Sequence, residues 1–308
     1  MNVARVVVLA CALLSTKSAA QTRAQTPGPD PRLHLATIRV NGVGRSFLYY
    51  VPNNLPRTAP VVFVLHGSGG NGASMRAMTN GEFERLADQN NFLLIYPDGF
   101  ENRWNDCRKN ATSSTHTMNI DDGGFLHALV QRFHAELGSS DSDVFAFGFS
   151  NGGALALRLA LERPREFRAV AAIASTLPTD ANLDCARSGS ASSVLLMTGT
   201  ADPLVSPAST PLARSPEETM SYFRALVRGV SEPELQSYPD LVSTDSSTVE
   251  RRTWRGRGVE LNFYTVRGGA HSIPQLLPAG RTTPDQARRN ADISAVAEAW
   301  AFFARQLR

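Results

Sequence analysis

Short continuous runs of apolar residues, each closed by glycine or a polar turn, alternate along the chain with segments of helical character. The runs that predict buried strands are 60–65, 92–96, 144–147, 168–174, 193–198 and 259–266. Two further strands, 36–40 and 45–51, are predicted to form a hairpin at Asn41 and Gly42. Helices are predicted at 81–89, from Asp121–Asp122 to about Leu137, at 154–160, at 216–227 and, as an amphipathic helix, at 284–307.

This alternation predicts one α/β domain over residues 36–308, with a mostly parallel central sheet of about eight strands and helices on both faces. Functional sites in such sheets lie beyond the carboxyl ends of the strands. Residues 98–119 are predicted to be a long polar loop, and residues 229–250 are predicted to be irregular.

The segment 144–160 passes from strand to helix through the pentapeptide Gly148 to Gly152, whose sequence Gly-Phe-Ser-Asn-Gly fits the nucleophile elbow G-x-S-x-G. Glycines are needed at both ends because side chains there would collide with the neighbouring elements. The turn would hold the Ser150 hydroxyl above the sheet edge, where the N-terminus of the following helix favours a developing oxyanion. The alternative is a small polar turn that simply joins a strand to a helix.

An acid and a base follow the serine, each just past a predicted strand. Asp202 and His271 occur in the chain order Ser, Asp, His that is typical of α/β-hydrolase triads. The imidazole would take the serine proton, and the carboxylate would hold the imidazole in the correct tautomer. Asp240 and Asp245 are the alternative acids, although no predicted strand positions them.

A glycine-rich loop begins at His66 after the strand 60–65. We expect backbone N–H groups of Gly67 and Ser68, with that of Asn151, to form an oxyanion hole. The loop lacks the lysine of a phosphate-binding loop, which argues against a nucleotide site. His66 and Trp104 are the predicted substrate contacts; Trp104 would stack on a sugar or aromatic acyl group, or else belong to the core at an exposed edge.

Composition excludes several function classes. The 308 residues are 42% hydrophobic and 19% charged, as in an ordinary globular protein. Basic residues are scattered without runs, so no nucleic-acid partner is expected. No cluster of His, Cys, Asp or Glu has the spacing of a metal site, and no cofactor is expected.

Residues 1–20 have the features of a secretory signal: Arg5, an apolar run over 6–14 and small residues at 18–20. That run is too short to span a bilayer, so we expect no stable membrane anchor. A membrane anchor is the alternative interpretation of residues 1–20. Residues 21–35 are predicted to be a flexible leader. The prediction is a protein secreted to the periplasm or the extracellular space.

Export would leave two cysteines, Cys107 and Cys185, in an oxidising compartment. A disulfide between them would enclose a long loop and stabilise the fold by ~4 kcal/mol on the chain-entropy account. Two buried free thiols are the alternative.

Several short motifs occur together and in order. They are His66-Gly-Ser-Gly-Gly70, Tyr96-Pro-Asp-Gly99, Trp104, Asp121-Asp-Gly-Gly-Phe125, Gly148-Phe-Ser-Asn-Gly152, Gly199-Thr-Ala-Asp-Pro203 and Gly268-Gly-Ala-His271. As a set they resemble the secreted esterase family that includes polyhydroxybutyrate depolymerases, LpqC-like proteins, feruloyl esterases and acetylxylan esterases. The resemblance extends from about residue 36 to the C-terminus.

The resemblance implies an α/β-hydrolase fold and hydrolysis of carboxylic esters without a cofactor, by Ser150, Asp202 and His271. The implied substrates are phenolic or acetyl esters on plant polysaccharide, or hydroxyalkanoate polyesters and oligomers. The sequence departs from the family pattern at Gly123 and Ala270. It also has Ser-Ile-Pro after His271, a departure that affects the expected shape of the acyl pocket. An acyltransferase using the same site and a non-catalytic glycan-binding protein of hydrolase fold are the alternative functions.

Overall fold

The structure, a computed structural model, describes residues 30–276 and 289–308, and a ten-stranded sheet organises this part of the chain. Its strands are Leu33–Val40 (β1), Val43–Tyr50 (β2), Val61–Leu65 (β3), Leu93–Pro97 (β4), Val144–Phe149 (β5), Phe167–Ile173 (β6), Ser193–Gly199 (β7), Glu234–Ser237 (β8), Thr248–Gly256 (β9) and Val259–Arg267 (β10). The spatial order is β1-β2-β4-β3-β5-β6-β7-β10-β9-β8. The strands from β4 to β10 in this order run parallel, and an antiparallel pair flanks them on each side.

Helices cover both faces of the sheet. They are Gly72–Met78 (α1), Glu82–Asn90 (α2), Ser114–Thr117 (α3), Asp122–Leu137 (α4), Asn151–Glu162 (α5), Pro216–Leu226 (α6) and Ala295–Ala304 (α7). Side chains of α4, α5 and α6 form one hydrophobic core, and those of α1, α2 and α7 form the other. In β3, Phe63 points to the first core and Val62 and Val64 to the second, because successive strand residues face opposite sides.

The sheet has ten strands rather than the eight predicted, because two antiparallel edge strands were missed. The region 229–250, predicted to be irregular, contains β8 and the start of β9. Every residue of β8 is exposed, so it shows no apolar alternation; backbone pairing with β9 defines it as a strand. At the other edge β1 begins at Leu33, so the predicted leader is wrong for residues 33–35.

The last helix begins at Ala295, not near residue 284 as predicted. The Ser294 side chain accepts a hydrogen bond from the Ala297 N–H and caps the first turn. Just before it, residues 289–294 are not helical, and the Asp292 carboxylate accepts hydrogen bonds from the N–H groups of Leu241 and Val242. Residues 284–288 of the predicted helix lie outside the described residues, as does the predicted signal at 1–20.

The predicted helix after Asp121 is confirmed. The Asp121 side chain caps it by accepting from the Gly124 N–H, and Gly138 ends it in the left-handed conformation. At its first residue, Asp122 is fully buried and accepts hydrogen bonds from the Arg45 guanidinium at 2.7 Å and the Asn105 N–H at 2.6 Å. The helix start therefore fixes the long loop 98–119, which carries Trp104 and Cys107.

A disulfide joins Cys107 to Cys185, with Cα atoms 5.1 Å apart. Backbone hydrogen bonds reinforce the junction, since the Lys109 N–H donates to Asn182 and the Asp184 N–H donates to Cys107. The long loop is thereby tied to the segment that follows β6. No helix in the described part of the chain has the length and apolar character needed to cross a membrane.

We predict that replacing both cysteines, Cys107→Ala with Cys185→Ala, lowers the free energy of unfolding by about 2–4 kcal/mol, because the cysteines are 78 residues apart and the bond restricts the unfolded chain. Urea unfolding of oxidised protein, reduced protein and the double variant measures this. Reduced wild-type protein should match the variant. Equal midpoints for oxidised wild type and variant would contradict a disulfide in the folded protein.

Candidate active site

The turn between β5 and α5 holds Ser150 in a strained conformation. Its φ of 54° and ψ of −117° place a non-glycine residue in a sparsely populated region. A side chain at Gly148 would overlap the Gly152 carbonyl, and one at Gly152 would overlap the Leu65 carbonyl. The two glycines therefore allow the close crossing of strand, turn and neighbouring strand that keeps the serine at the sheet edge.

The structure brings together the three side chains that the sequence singles out. The His271 Nε2 atom lies 3.0 Å from the Ser150 Oγ atom, and the His271 Nδ1 atom lies 2.8 Å from Asp202 Oδ2. The serine follows β5, while the aspartate and histidine follow β7 and β10, which are adjacent parallel strands. Ser150 and Asp202 are 52 positions apart in sequence, and Asp202 and His271 are 69 positions apart. They meet because parallel strands present their carboxyl ends at one edge of the sheet.

The carboxylate of Asp202 has a fixed orientation. Its side chain is fully buried, and its Oδ1 atom accepts hydrogen bonds from the N–H groups of Leu204 at 2.8 Å and Val205 at 2.9 Å. Only Oδ2 remains for the His271 ring, so Nδ1 carries the proton and donates it to the carboxylate. Nε2 is then unprotonated and accepts from the Ser150 hydroxyl, which is the tautomer that a general base needs.

Backbone donors are available next to the serine hydroxyl. Ser68 and Asn151 line the same cleft as Ser150 and His271. Within the described ranges neither backbone N–H has a hydrogen-bond partner. Gly67 lies against the nucleophile, because a Cβ atom there would sit 3.3 Å from the Ser150 Cβ. The loop after β3 thus presents free N–H groups beside the position where an ester carbonyl would be attacked.

The prediction that His66 and Trp104 contact the substrate is wrong. Both are buried, with exposed fractions of 1% and 0%, and neither lines the cleft. The His66 Nε2 atom accepts from the Gly99 N–H, so its Nδ1–H donates to the Gly67 carbonyl at 2.7 Å. The Trp104 indole N–H donates to the His66 carbonyl at 2.8 Å. These side chains support the Gly67–Ser68 loop from below.

Burial also sets the ionisation of this supporting histidine. It lowers the pKa of His66, although the hydrogen bond to Gly67 and the nearby Asp98 act in the opposite direction. The ring is therefore neutral under ordinary conditions and can accept from one backbone group while donating to another.

The sequence analysis missed the polar network around the Asn151 side chain. Its Oδ1 atom accepts from the Trp104 N–H, and its Nδ2 atom donates to the Trp104 carbonyl and to Asp106 Oδ2. Asp106 is buried and also contacts His116 and Arg108. Burial favours a higher pKa, but hydrogen bonds from His116 and Arg108 outweigh it and lower the pKa of Asp106 to about 2.

The cleft at the serine has a volume of about 230 Å³. Asp106 and Arg108 of the long loop are among its polar lining residues. Its apolar lining residues include Pro178, Leu204, Val205, Leu212 and Ala213. A larger cavity of about 550 Å³ lies over β7, β9 and β10 and is lined by none of Ser150, Asp202 and His271. The volume of a cavity therefore does not identify the candidate active site in this protein. The hydrogen-bonded contacts of Ser150 identify it.

Comparison with known proteins gives consistent matches. The profile of the phospholipase/carboxylesterase family matches residues 50–216. A protein of Nocardia uniformis subsp. tsuyamanensis named as an esterase, NocK, is 29% identical over 239 residues, covering 71% of this chain and 67% of its own. Feruloyl esterase B of Thermothelomyces thermophilus is 33% identical over 122 residues, 39% of this chain and 40% of its own.

The chain thus spans two thirds of NocK and less than half of the feruloyl esterase. Among solved structures, an acetyl xylan esterase from Aspergillus awamori superposes with a TM-score of 0.56 at 21% identity, over 79% of this chain and 95% of its own. A Bacillus cereus carboxylesterase gives a TM-score of 0.51 at 14% identity, over 85% and 95%. These similarities confirm the α/β-hydrolase fold.

We predict that Asp106→Asn destabilises the protein at pH 7, by roughly 2 kcal/mol, and that the difference from wild type disappears in acid. The pKa of Asp106 is lowered from 3.8 to about 2, so its charged contacts contribute above pH ~4 and are lost as the pH falls towards 2. Urea unfolding at pH 7, 5, 3 and 2 measures the difference.

The exposed Asp141→Asn is the matched control and should unfold like wild type at each pH. A destabilisation by Asp106→Asn that is constant from pH 7 to pH 2 would contradict the assignment, because it would not depend on the carboxylate charge.

Proposed function

Because the chain belongs to the phospholipase/carboxylesterase family, we propose that it is a secreted serine carboxylesterase that acts through Ser150, His271 and Asp202. The observation that carries the proposal is the continuous series of hydrogen bonds from Ser150 through His271 to Asp202 at one cleft. The names of the two relatives, an esterase and a feruloyl esterase, support ester hydrolysis.

In the first half of the proposed reaction, the Ser150 Oγ atom attacks the ester carbonyl carbon while His271 Nε2 accepts the hydroxyl proton. Asp202 stabilises the imidazolium that forms. The N–H groups of Ser68 and Asn151 bind the carbonyl oxygen as it becomes negatively charged. The tetrahedral intermediate then expels the alcohol, which takes the proton from His271, and the acyl group remains on Ser150.

Water completes the reaction at the same residues. His271 removes a proton from the water, which attacks the acyl carbon, and the oxyanion again lies at Ser68 and Asn151. Collapse of this intermediate releases the carboxylic acid and returns the proton to Ser150. Every proton that moves is carried by the His271 ring, so this half of the reaction needs no further acid or base.

We propose phenolic or acetyl esters on plant polysaccharide, or hydroxyalkanoate esters, as the substrates. The cleft of about 230 Å³ has room for a small acyl group, and its apolar lining residues suit an aromatic or aliphatic one. Secretion is supported by the signal-like pattern of residues 1–20 and by the disulfide, which oxidising compartments favour.

We predict that Ser150→Ala abolishes hydrolysis of p-nitrophenyl acetate and labelling by a fluorophosphonate, since the attacking oxygen is removed. Asp202→Asn should lower kcat by about 10⁴-fold, because the amide favours the wrong histidine tautomer. Initial rates and probe labelling of purified protein measure both effects, with circular dichroism to show that the variants are folded.

Ser142→Ala, before β5 and therefore at the opposite end of that strand from Ser150, is the matched serine control and should retain wild-type rates. Turnover by folded Ser150→Ala above the uncatalysed rate would overturn the assignment of the nucleophile.

A further inference from the structure

A cationic side chain in the cleft, that of Arg108, is not used by the proposed reaction. Arg108 lines the cleft together with Ser150 and His271, and its side chain is 48% exposed. It follows Cys107, whose disulfide and neighbouring backbone hydrogen bonds fix the local backbone against residues 182–185. Arg108 therefore lines the cleft from a backbone segment that is held in place.

Within the described part of the chain, hydrogen bonds occupy only one edge of this guanidinium. Its Nε atom donates to both oxygens of Asp106, at 2.9 and 3.0 Å, and its Nη2 atom donates to Oδ2 at 2.6 Å. Nη1 has no hydrogen-bond partner among the residues that the structure describes. The planar fork of arginine has a second edge, formed by Nη1 and the free hydrogen of Nη2, which matches the two oxygens of a carboxylate.

Asp106 holds the Arg108 guanidinium in a fixed orientation. Its side chain is fully buried and accepts hydrogen bonds from His116 and from the Asn151 side chain as well. Asn151 is the residue after the nucleophile, so the arginine is connected to the catalytic turn through one carboxylate. A guanidinium oriented in advance loses less conformational entropy when it binds a ligand than a free surface arginine does.

Apart from this cation, several residues that line the cleft are apolar. Leu204 and Leu212 line the same cleft and are 74% and 49% exposed, and Pro178 is a further apolar lining residue. An ester with an apolar part and an anionic part would match both kinds of lining residue. If Arg108 served only to neutralise Asp106, no preference for an anionic substrate would follow.

We propose that Arg108 is a specificity-determining residue that binds a free carboxylate on the substrate, so the enzyme prefers acidic esters to neutral ones of the same size. This inference rests on the proposed esterase function and narrows its substrate class. The carboxylate belongs either to the acyl part or to the alcohol part of the ester, as in the terminal unit of a hydroxy-acid oligomer or in an acylated uronic acid.

Two substrate pairs distinguish these positions. Mono-p-nitrophenyl glutarate and p-nitrophenyl pentanoate test a carboxylate on the acyl side, followed by absorbance. The 3-acetoxybutyrate anion and 3-acetoxybutyramide test a carboxylate on the alcohol side. Their hydrolysis is measured by titrating the released acid at constant pH. We expect kcat/KM for the acidic member to exceed that of the neutral member by about ten-fold in at least one pair, since a charge-assisted hydrogen bond at a half-exposed site lies at the weak end of its range.

Arg108→Gln should reduce this ratio to about one, because it removes the charge and the fork. Arg108→Lys keeps the charge without the fork and should keep part of the preference. The ratio within each pair is the quantity to compare, because a structural effect on the catalytic turn changes both members alike. In wild-type protein the preference should also decrease between 0.05 and 0.5 M NaCl, which tests the charge without any substitution.

The results separate this inference from the function on which it rests. Hydrolysis of the neutral esters with no preference for the acidic ones in either pair would overturn the role of Arg108 and leave the esterase intact. A preference that survives in Arg108→Gln would also overturn it. Failure to hydrolyse any of the four esters, together with no fluorophosphonate labelling of Ser150, would remove the proposed function itself and this inference with it.

Discussion

The approach of three backbone segments at Ser150 is the constraint on which the candidate site depends. Gly148 and Gly152 allow the start of α5 to lie against both its own strand and the carbonyl of Leu65 at the end of β3. This contact puts the turn of Ser150 directly beside the loop that carries Gly67 and Ser68. The free N–H groups and the nucleophile are therefore positioned by one packing arrangement, and a methyl group at either glycine would separate them.

The strained backbone at Ser150 is maintained by the surrounding structure. Its N–H donates to the Ile173 carbonyl at 2.9 Å, and its carbonyl accepts from Ala154 at 2.9 Å in the first helical turn. The energy of an unusual φ is of the order of 1–3 kcal/mol, which these bonds and the buried strand on either side can offset. The strain keeps the hydroxyl directed towards His271 instead of into the helix.

A second layer of buried groups supports the sheet edge at Ser150 from the side of the long loop. Trp104, His66 and Asn151 connect the loop, the end of β3 and the start of α5 by direct hydrogen bonds. Asp106 extends this layer to Arg108 and so to the open surface of the cleft. Support of the oxyanion loop and orientation of the cleft arginine consequently depend on the same few residues, anchored by a disulfide one residue away.

Local patterns in the sequence determined most of the fold and the reacting groups. Continuous apolar runs predicted the parallel strands because both faces of those strands are covered, and the glycines around Ser150 identified the turn because few other residues fit it. The order of Ser150, Asp202 and His271, each after a strand, was enough to predict that they meet, since parallel strands end at one edge.

Tertiary structure alone decided the features that no local pattern encodes. The edge strand β8 has no apolar alternation and exists through pairing with β9. The last helix begins at Ala295, where the Ser294 side chain caps it, and the preceding Asp292 contacts a distant loop. Trp104 and His66 were predicted to contact the substrate, yet both are buried by neighbours far away in sequence. The open edge of Arg108 likewise depends on which side of the guanidinium Asp106 occupies, a matter of three-dimensional contact that residue type and spacing do not specify.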